Sequence, residues 1–186
     1  MRRVIVTEFL TLDGVMEDST AWQQGYDGPD IGPFKREELF SCGALLLGRV
    51  TYDGFARYWP SATGTGTFGE RMNALPKYVA TTTLTALEWN ATPLTGDVAG
   101  AVQALKREDG GDLLTYGSAT LAQTLLRHGL VDELRLLVYP LALGSGKRLF
   151  ADGDRVPLRL LSSREMGGGV MLLTYGPDGA RGPANT

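Results

Sequence analysis

Apolar positions along this chain fall into two patterns. Short unbroken runs lie between glycines or turn residues, and longer stretches repeat apolar residues every three or four positions. The runs are Arg2–Leu12, Ala44–Leu47, Lys77–Thr81, Leu113–Tyr116 and Asp132–Tyr139, and each predicts a strand. Ala44-Leu45-Leu46-Leu47 has no polar position at all, the signature of a strand covered on both faces. Leu87–Trp89 predicts a weaker strand. Val156–Ser163 and Gly169–Tyr175 predict a closing antiparallel hairpin.

The helical pattern is clearest in Asp97–Glu108, where Val98, Ala101, Val102 and Leu105 share one face. It recurs from Ser118 to Gly129, with Leu121, Ala122, Leu125 and Leu126 on one face, Ser118 as a capping residue and Gly129 as the stop. Asp30–Cys42 predicts a helix with Asp30 as N-cap and Pro33 in its first turn. Thr51–Tyr58 predicts another, closed by Trp59-Pro60, and a short one spans Gly69–Leu75. Glu17–Pro33 and residues 61–68 read as loops, the first long enough for a lid or binding loop.

Strands alternating with helices, then a terminal hairpin, predict an α/β domain. Its sheet is mixed and mostly parallel, with the antiparallel strands near one edge and helices on its flanks. At 186 residues this is one domain, over 1–176, with a mobile C-terminal tail at 177–186 that has no core-forming residues.

Two strand–glycine–helix junctions stand out, Leu47-Gly48-Arg49 and Tyr116-Gly117-Ser118. Such a turn aims backbone N–H groups and the positive end of a helix dipole at one spot, which suits a phosphate. Many α/β proteins carry the same turn and bind nothing with it. Arg49 follows a buried strand and has Thr51 nearby, so its fork suits a phosphate such as the 2′-phosphate of NADPH. Pairing with a surface carboxylate is the alternative. Asp30 suits a site carboxylate or a plain cap.

Composition narrows the chemistry. A formal charge of −3, with basic pairs scattered along the chain, argues against nucleic acid as a partner. One cysteine, Cys42, and one histidine, His128, leave no internal disulfide, no Cys/His zinc centre and no deaminase site to assemble. No long apolar run predicts a membrane span, and a cytoplasmic location follows. Difficult chemistry would therefore come from a bound cofactor. Gly64-Thr-Gly66-Thr-Phe-Gly69 matches a dinucleotide fingerprint but does not follow a strand. Gly144-Ser-Gly146-Lys147 lacks the rest of a P-loop and reads as an ordered turn.

These residues resemble a family. Gly48-Arg49-Val50-Thr51 is similar to the GR-x-T element of dihydrofolate reductase-like folds. Leu12-Asp13-Gly14 is similar to the S-L-D-G opening of the reductase domain of riboflavin-biosynthesis enzymes. Gly129-Leu130-Val131-Asp132-Glu133-Leu134 and Leu143-Gly144-Ser145-Gly146, ending at Leu149-Phe150, resemble that domain's later signature. The resemblance is to a stand-alone member of the riboflavin-reductase C-terminal-domain family, in the dihydrofolate reductase superfamily.

It implies an eight-stranded mixed sheet, bound NADPH and a homodimer. Gly48, Arg49 and Thr51 would face the adenosine phosphates, and Thr81 and Thr82 the 2′-phosphate. Tyr116, Gly117, Ser118, Ala119 and Thr120 would hold the pyrophosphate. Leu12, Asp13, Gly14 and Val15 would approach the nicotinamide. Asp30, with Phe34 and Lys35 after it, resembles the helix in which dihydrofolate reductases keep their pterin-binding carboxylate, so it is the candidate proton donor, with ordered water as the alternative. Trp22, Phe34, Tyr52, Tyr58 and Trp59 are candidates for the substrate wall. The sequence departs from the dihydrofolate reductase pattern in having Tyr116-Gly117 where a double glycine is usual.

The expected function is an NADPH-dependent reductase that delivers hydride to a C=N or similar bond of a pterin, a ribosylaminopyrimidine or a related heterocycle. A non-catalytic binder of nucleotides or heterocycles on the same scaffold is the alternative, and a flavin protein a third.

Overall fold

The computed structural model describes residues 1–26 and 28–179. Eight strands form one sheet in the order β4-β3-β2-β5-β1-β6-β8-β7. They are β1 (Val4–Thr11), β2 (Ala44–Gly48), β3 (Lys77–Ala80), β4 (Ala91–Leu94), β5 (Leu113–Tyr116), β6 (Glu133–Tyr139), β7 (Leu158–Glu165) and β8 (Met171–Pro177). The first six are parallel, and β8 and β7 run antiparallel beyond β6. The helices are α1 (Ser19–Trp22), α2 (Ile31–Ser41), α3 (Arg49–Tyr58), α4 (Gly66–Ala74), α5 (Val98–Arg107) and α6 (Ala119–Arg127).

Cover on both faces explains why β2 carries only apolar residues and glycine, and why β1 and β5 are apolar at most positions. Val4 and Val6 of β1, Ala44 and Leu46 of β2, and Leu113 of β5 pack under α5 and α6. Ile5, Leu45, Leu47 and Leu114, from the same strands, pack under α2, α3 and α4. Both faces are thus covered, and each fully buried Leu or Val contributes about 1.5–3 kcal/mol. The amphipathic faces of α5 and α6 supply Val102, Leu105, Leu121 and Leu125 to the first layer, all buried.

Local expectations fail at four places. Leu87–Trp89 forms no strand. The pairing falls instead on Ala91–Leu94, because Trp89 and Asn90 take left-handed backbone angles and turn the chain. Helix α4 begins at Gly66, so Gly66–Gly69 of the glycine-rich fingerprint form its first turn, with Gly69 against the Thr65 side chain. The terminal hairpin sits two residues later than expected, with its turn around Gly167–Gly169. The Glu17–Pro33 loop contains the short helix α1. Residues 180–186 of the expected tail lie outside the described residues, and Pro177 closes β8.

Candidate functional site

A cleft of about 600 Å³ opens at the carboxyl ends of the parallel strands, between β2 and β5. Gly48, Arg49 and Thr51 from the first junction line it, as do Gly117, Ser118, Ala119 and Thr120 from the second. Thr81 and Thr82, after β3, complete that end. Ligands of open α/β sheets bind at such strand ends.

The two junctions touch. The Ser118 hydroxyl accepts the Gly48 amide proton at 2.9 Å and lies 2.7 Å from Thr51 Oγ1. This corrects the expected role of Ser118. It sits in the left-handed region at φ 67°, after Gly117 at φ 61°, and does not cap its own helix. Its side chain staples α6 to the neighbouring turn instead. The approach requires Gly48 to lack a side chain, since a Cβ there would fall 2.7 Å from Ser118 Cβ. Asp97, by contrast, is a true cap and accepts from Gly100 N at 3.0 Å. Thr81 Oγ1 accepts the amides of Thr83 and Leu84 and so holds the Thr82 turn open to the cleft.

Arg49 lines the cleft and also pairs with Asp53 at 2.8 Å, one helical turn on. The surface-carboxylate alternative and the cleft position therefore coexist. A half-exposed i,i+4 pair is worth about 0.3–0.5 kcal/mol, which an incoming phosphate outbids.

The Tyr116 ring is not in the cleft. Strand alternation sends it to the opposite face, where it lies 6.3 Å from the Phe55 ring, with Lys35 Nζ 4.5 Å from its centroid. Leu12, Asp13, Gly14 and Val15 also fall outside the cleft wall, which begins at Met16 and continues through Glu17, Asp18, Ser19 and Thr20, with Lys147 beside them. The Asp13 carboxylate takes the Thr11 hydroxyl and the Leu143 and Gly144 amides, and these bonds hold its pKa down to about 2. It ties the β1 exit to the Gly144–Lys147 turn, and that tie positions Lys147.

The aromatic candidates separate. Trp22 and Phe34 gather with Phe9 and Tyr26 around Tyr139. Tyr52 is buried, and its hydroxyl bonds the backbone of Glu88, which makes it core. Trp59 packs between Phe55 and Phe68. Tyr58 is exposed. None of these five lines the cleft. Asp30 is exposed at the start of α2, makes no side-chain cap bond and is also absent from the cleft wall.

A buried polar cluster was not foreseen from the pattern of residues. Glu38 of α2 is 1% exposed and binds Lys35 at 2.7 Å and Arg135 of β6 at 3.2 Å. Thr7 bridges them, donating to Glu38 and accepting from Lys35. Burial lowers the Lys35 pKa, and Glu38 opposes that shift. Glu8, on the other face of β1, is 4% exposed, and its Oε1 has no hydrogen-bond partner among the described residues. Burial drives its pKa up to about 8, against the pull of Lys35 and the Gly117 amide. One signal was available in the sequence. Val4, Val6 and Leu10 share one strand face, and Glu8 is the lone carboxylate on it.

With that geometry in view, comparison with known proteins is informative. The sequence model of the RibD C-terminal domain matches residues 2–172. The chain belongs to the RibD C-terminal domain family. A relative, the uncharacterized protein YyaP of Bacillus subtilis (strain 168), is 32% identical over 181 residues, 94% of each chain. The solved structure of a candidate riboflavin biosynthesis protein from Shewanella sp. PV-4 superposes with a TM-score of 0.73 at 19% identity. It covers 95% of this chain and 99% of that one. The dihydrofolate reductase of Enterococcus faecalis, solved with NADP(H), gives 0.65 at 14% identity, over 95% and 96% of the two chains. The fold is that of the dihydrofolate reductases. No described helix is long and apolar enough to cross a membrane.

Proposed function

We propose that this protein is an NADPH-dependent reductase acting on a C=N or similar bond of a pterin, a ribosylaminopyrimidine or a related heterocycle. One observation carries the reading. The Gly48 and Gly117 turns, locked together through Ser118, open onto one cleft with the Arg49 guanidinium at its rim. Adjacent amides, two helix N-termini and a fixed cation fit the anionic half of a dinucleotide. The missing side chain at Gly48 leaves the two turns close enough to act as one cradle. When bound, the dinucleotide supplies the hydride. The protein's part is to bind, orient and exclude water.

Family membership and the NADP(H)-bound dihydrofolate reductase of the same fold support a reductase-type activity. The alternative, a non-catalytic binder, would be favoured by a Tyr116 ring filling the cleft, and that ring lies on the other face of the sheet. The reading includes a homodimer through β7, an edge strand whose Leu160 and Leu161 are 52% and 44% exposed. It also includes a cytoplasmic location.

Fluorescence titration with NADPH, then absorbance at 340 nm with candidate heterocycles, tests the proposal. Arg49→Ala should weaken NADPH by about 1–3 kcal/mol, the cost of a lost charge-assisted bond, and weaken NADH less. Equal loss for both cofactors assigns Arg49 a structural role. No binding at millimolar NADPH rejects the reductase, and binding without turnover of any heterocycle favours the binder.

A further inference from the structure

Reduction of a C=N bond needs a proton as well as a hydride, and the two carboxylates of the cleft wall, Glu17 and Asp18, are exposed, with Glu17 paired to Lys147. Asp30 is exposed and outside the cleft wall. A buried carboxyl lies instead at the seam where β1 and β5 part. Their last paired residues are Thr7 and Tyr116. One residue further on each strand, Glu8 stands beside Gly117, and Gly117 is itself cleft wall.

Glu8 shares a strand face with Val6 and Leu10, on the side of the sheet that carries α6, Met16 and Leu121. Met16 and Leu121 also line the cleft. The hydroxyl of Thr115, which pairs in register with Val6, lies on the same face and likewise has no partner among the described residues. Two buried polar atoms thus lack partners on adjacent strands, close to Gly117 of the cleft wall. Such atoms are costly to bury unpaired, and a ligand or water would satisfy them.

We propose that Glu8 is the proton donor of the reductase, with the Thr115 hydroxyl orienting the acceptor group beside it. This rests on the reading of the cleft as a reductase site. In the step, Glu8 gives its Oε proton to the nitrogen of the C=N bond as the π pair settles there. The hydride supplied by the dinucleotide completes the new C–H bond, so the heterocycle is reduced and the dinucleotide oxidised. The carboxylate left behind regains its proton from water.

The surroundings suit both halves of that cycle. Burial keeps the acid protonated at neutral pH, with its pKa near 8. Lys35 and the Gly117 amide then favour the carboxylate that proton loss leaves. Glu38 of α2 opposes it, and is itself held by Lys35 and by Arg135 of β6. The Tyr116 hydroxyl on β5 stays protonated, its pKa raised well above 10 by burial. Asp30 has none of these neighbours among the bonds and ion pairs of the described residues.

The test uses the full chain labelled with 13C at glutamate Cδ, wild type against Glu8→Gln. The resonance missing in the variant should titrate near pH 8 and shift when NADPH is added. A resonance titrating near pH 4.5, or indifferent to NADPH, overturns the proposal. Turnover is then followed with 7,8-dihydrofolate and with 5-amino-6-(5-phosphoribosylamino)uracil. Where either is reduced, Glu8→Gln should bind NADPH within about twofold of wild type and lose about 10²–10⁴-fold in kcat, and the fall in rate above pH 8 should vanish. Unchanged kcat and pH profile overturn it. Where neither is reduced, the resonance decides. A wild type that binds no NADPH refutes the reductase reading, and this assignment with it. NADPH binding with a silent Glu8 resonance refutes this assignment alone.

Discussion

Gly48→Ala is the sharpest test of the join between the two turns. The new Cβ would lie 2.7 Å from Ser118 Cβ, and Ser118 Oγ is closer still. Favourable carbon contacts begin near about 3.5 Å, so roughly 1 Å must be found. Ser118 cannot yield cheaply, because it is pinned by Gly48 N and Thr51 and sits in a left-handed conformation after Gly117. Overpacking of this kind costs about 1–3 kcal/mol, and breaking the Gly48–Ser118 bond adds about 1 kcal/mol. Gly48 itself has φ −82° and ψ 160°, which alanine adopts freely, so the loss of unfolded-state entropy returns about 0.4–1 kcal/mol. The net loss is about 1–3.6 kcal/mol, centred on about 2 kcal/mol. At about 2–4 °C per kcal/mol for a chain of this size, Tm should fall by roughly 2–14 °C.

Ser118→Gly removes both clashing atoms. In that background Gly48→Ala should cost about nothing, a coupling of about 2 kcal/mol in the double-mutant cycle. Urea denaturation at 25 °C measures all four corners, and NADPH titration of the same proteins reads the cradle. Gly48→Ala alone should weaken NADPH at least about tenfold, or 1.4 kcal/mol. Additivity within about 0.5 kcal/mol would show that the turns do not press on each other, and the reasoning would fail.

Glu38→Ala should cost about 3–5 kcal/mol in urea unfolding, because Lys35 and Arg135 lose the buried carboxylate that pairs them. A loss under 1 kcal/mol would mean water replaces it. Glu8 gives stability a pH slope. Its folded pKa near 8 lies above its ordinary value of 4.5, so its contribution is full below pH 4.5 and is lost as pH rises through 8. Glu8→Gln should remove a slope of about 1.4 kcal/mol per pH unit across that window, and parallel pH profiles would contradict the burial argument. Leu160→Asp on the exposed edge strand β7 should yield a monomer by light scattering, whereas an unchanged mass excludes β7 as the interface.

Much of the fold was legible because local physics wrote it. Unbroken apolar runs such as Ala44–Leu47 become strands only where both faces are covered, and the 3.6-residue repeats of α5 and α6 demanded a sheet to lie against. The strand–glycine–helix junctions at Gly48 and Gly117 were visible for the same reason, since the close approach at one leaves no room for a side chain and the left-handed turn at the other favours glycine. Leu87–Trp89 was misplaced because nothing local announces the left-handed pair Trp89-Asn90 that delays the strand.

What residues do across the sheet was not legible. Spacing put Tyr116 and Ser118 on one turn, but only the pleat decides that the ring leaves by one face while the hydroxyl reaches Gly48 on a neighbouring strand. Asp30 looked like the acid because a carboxylate opening a helix is conspicuous in one dimension. Glu8 sits within a strand read only as apolar. Burial is set by the layers that close over a position, and these lie far away in sequence. The chain alone therefore determined where backbone amides gather, and the tertiary structure alone decided which carboxyl is kept from water.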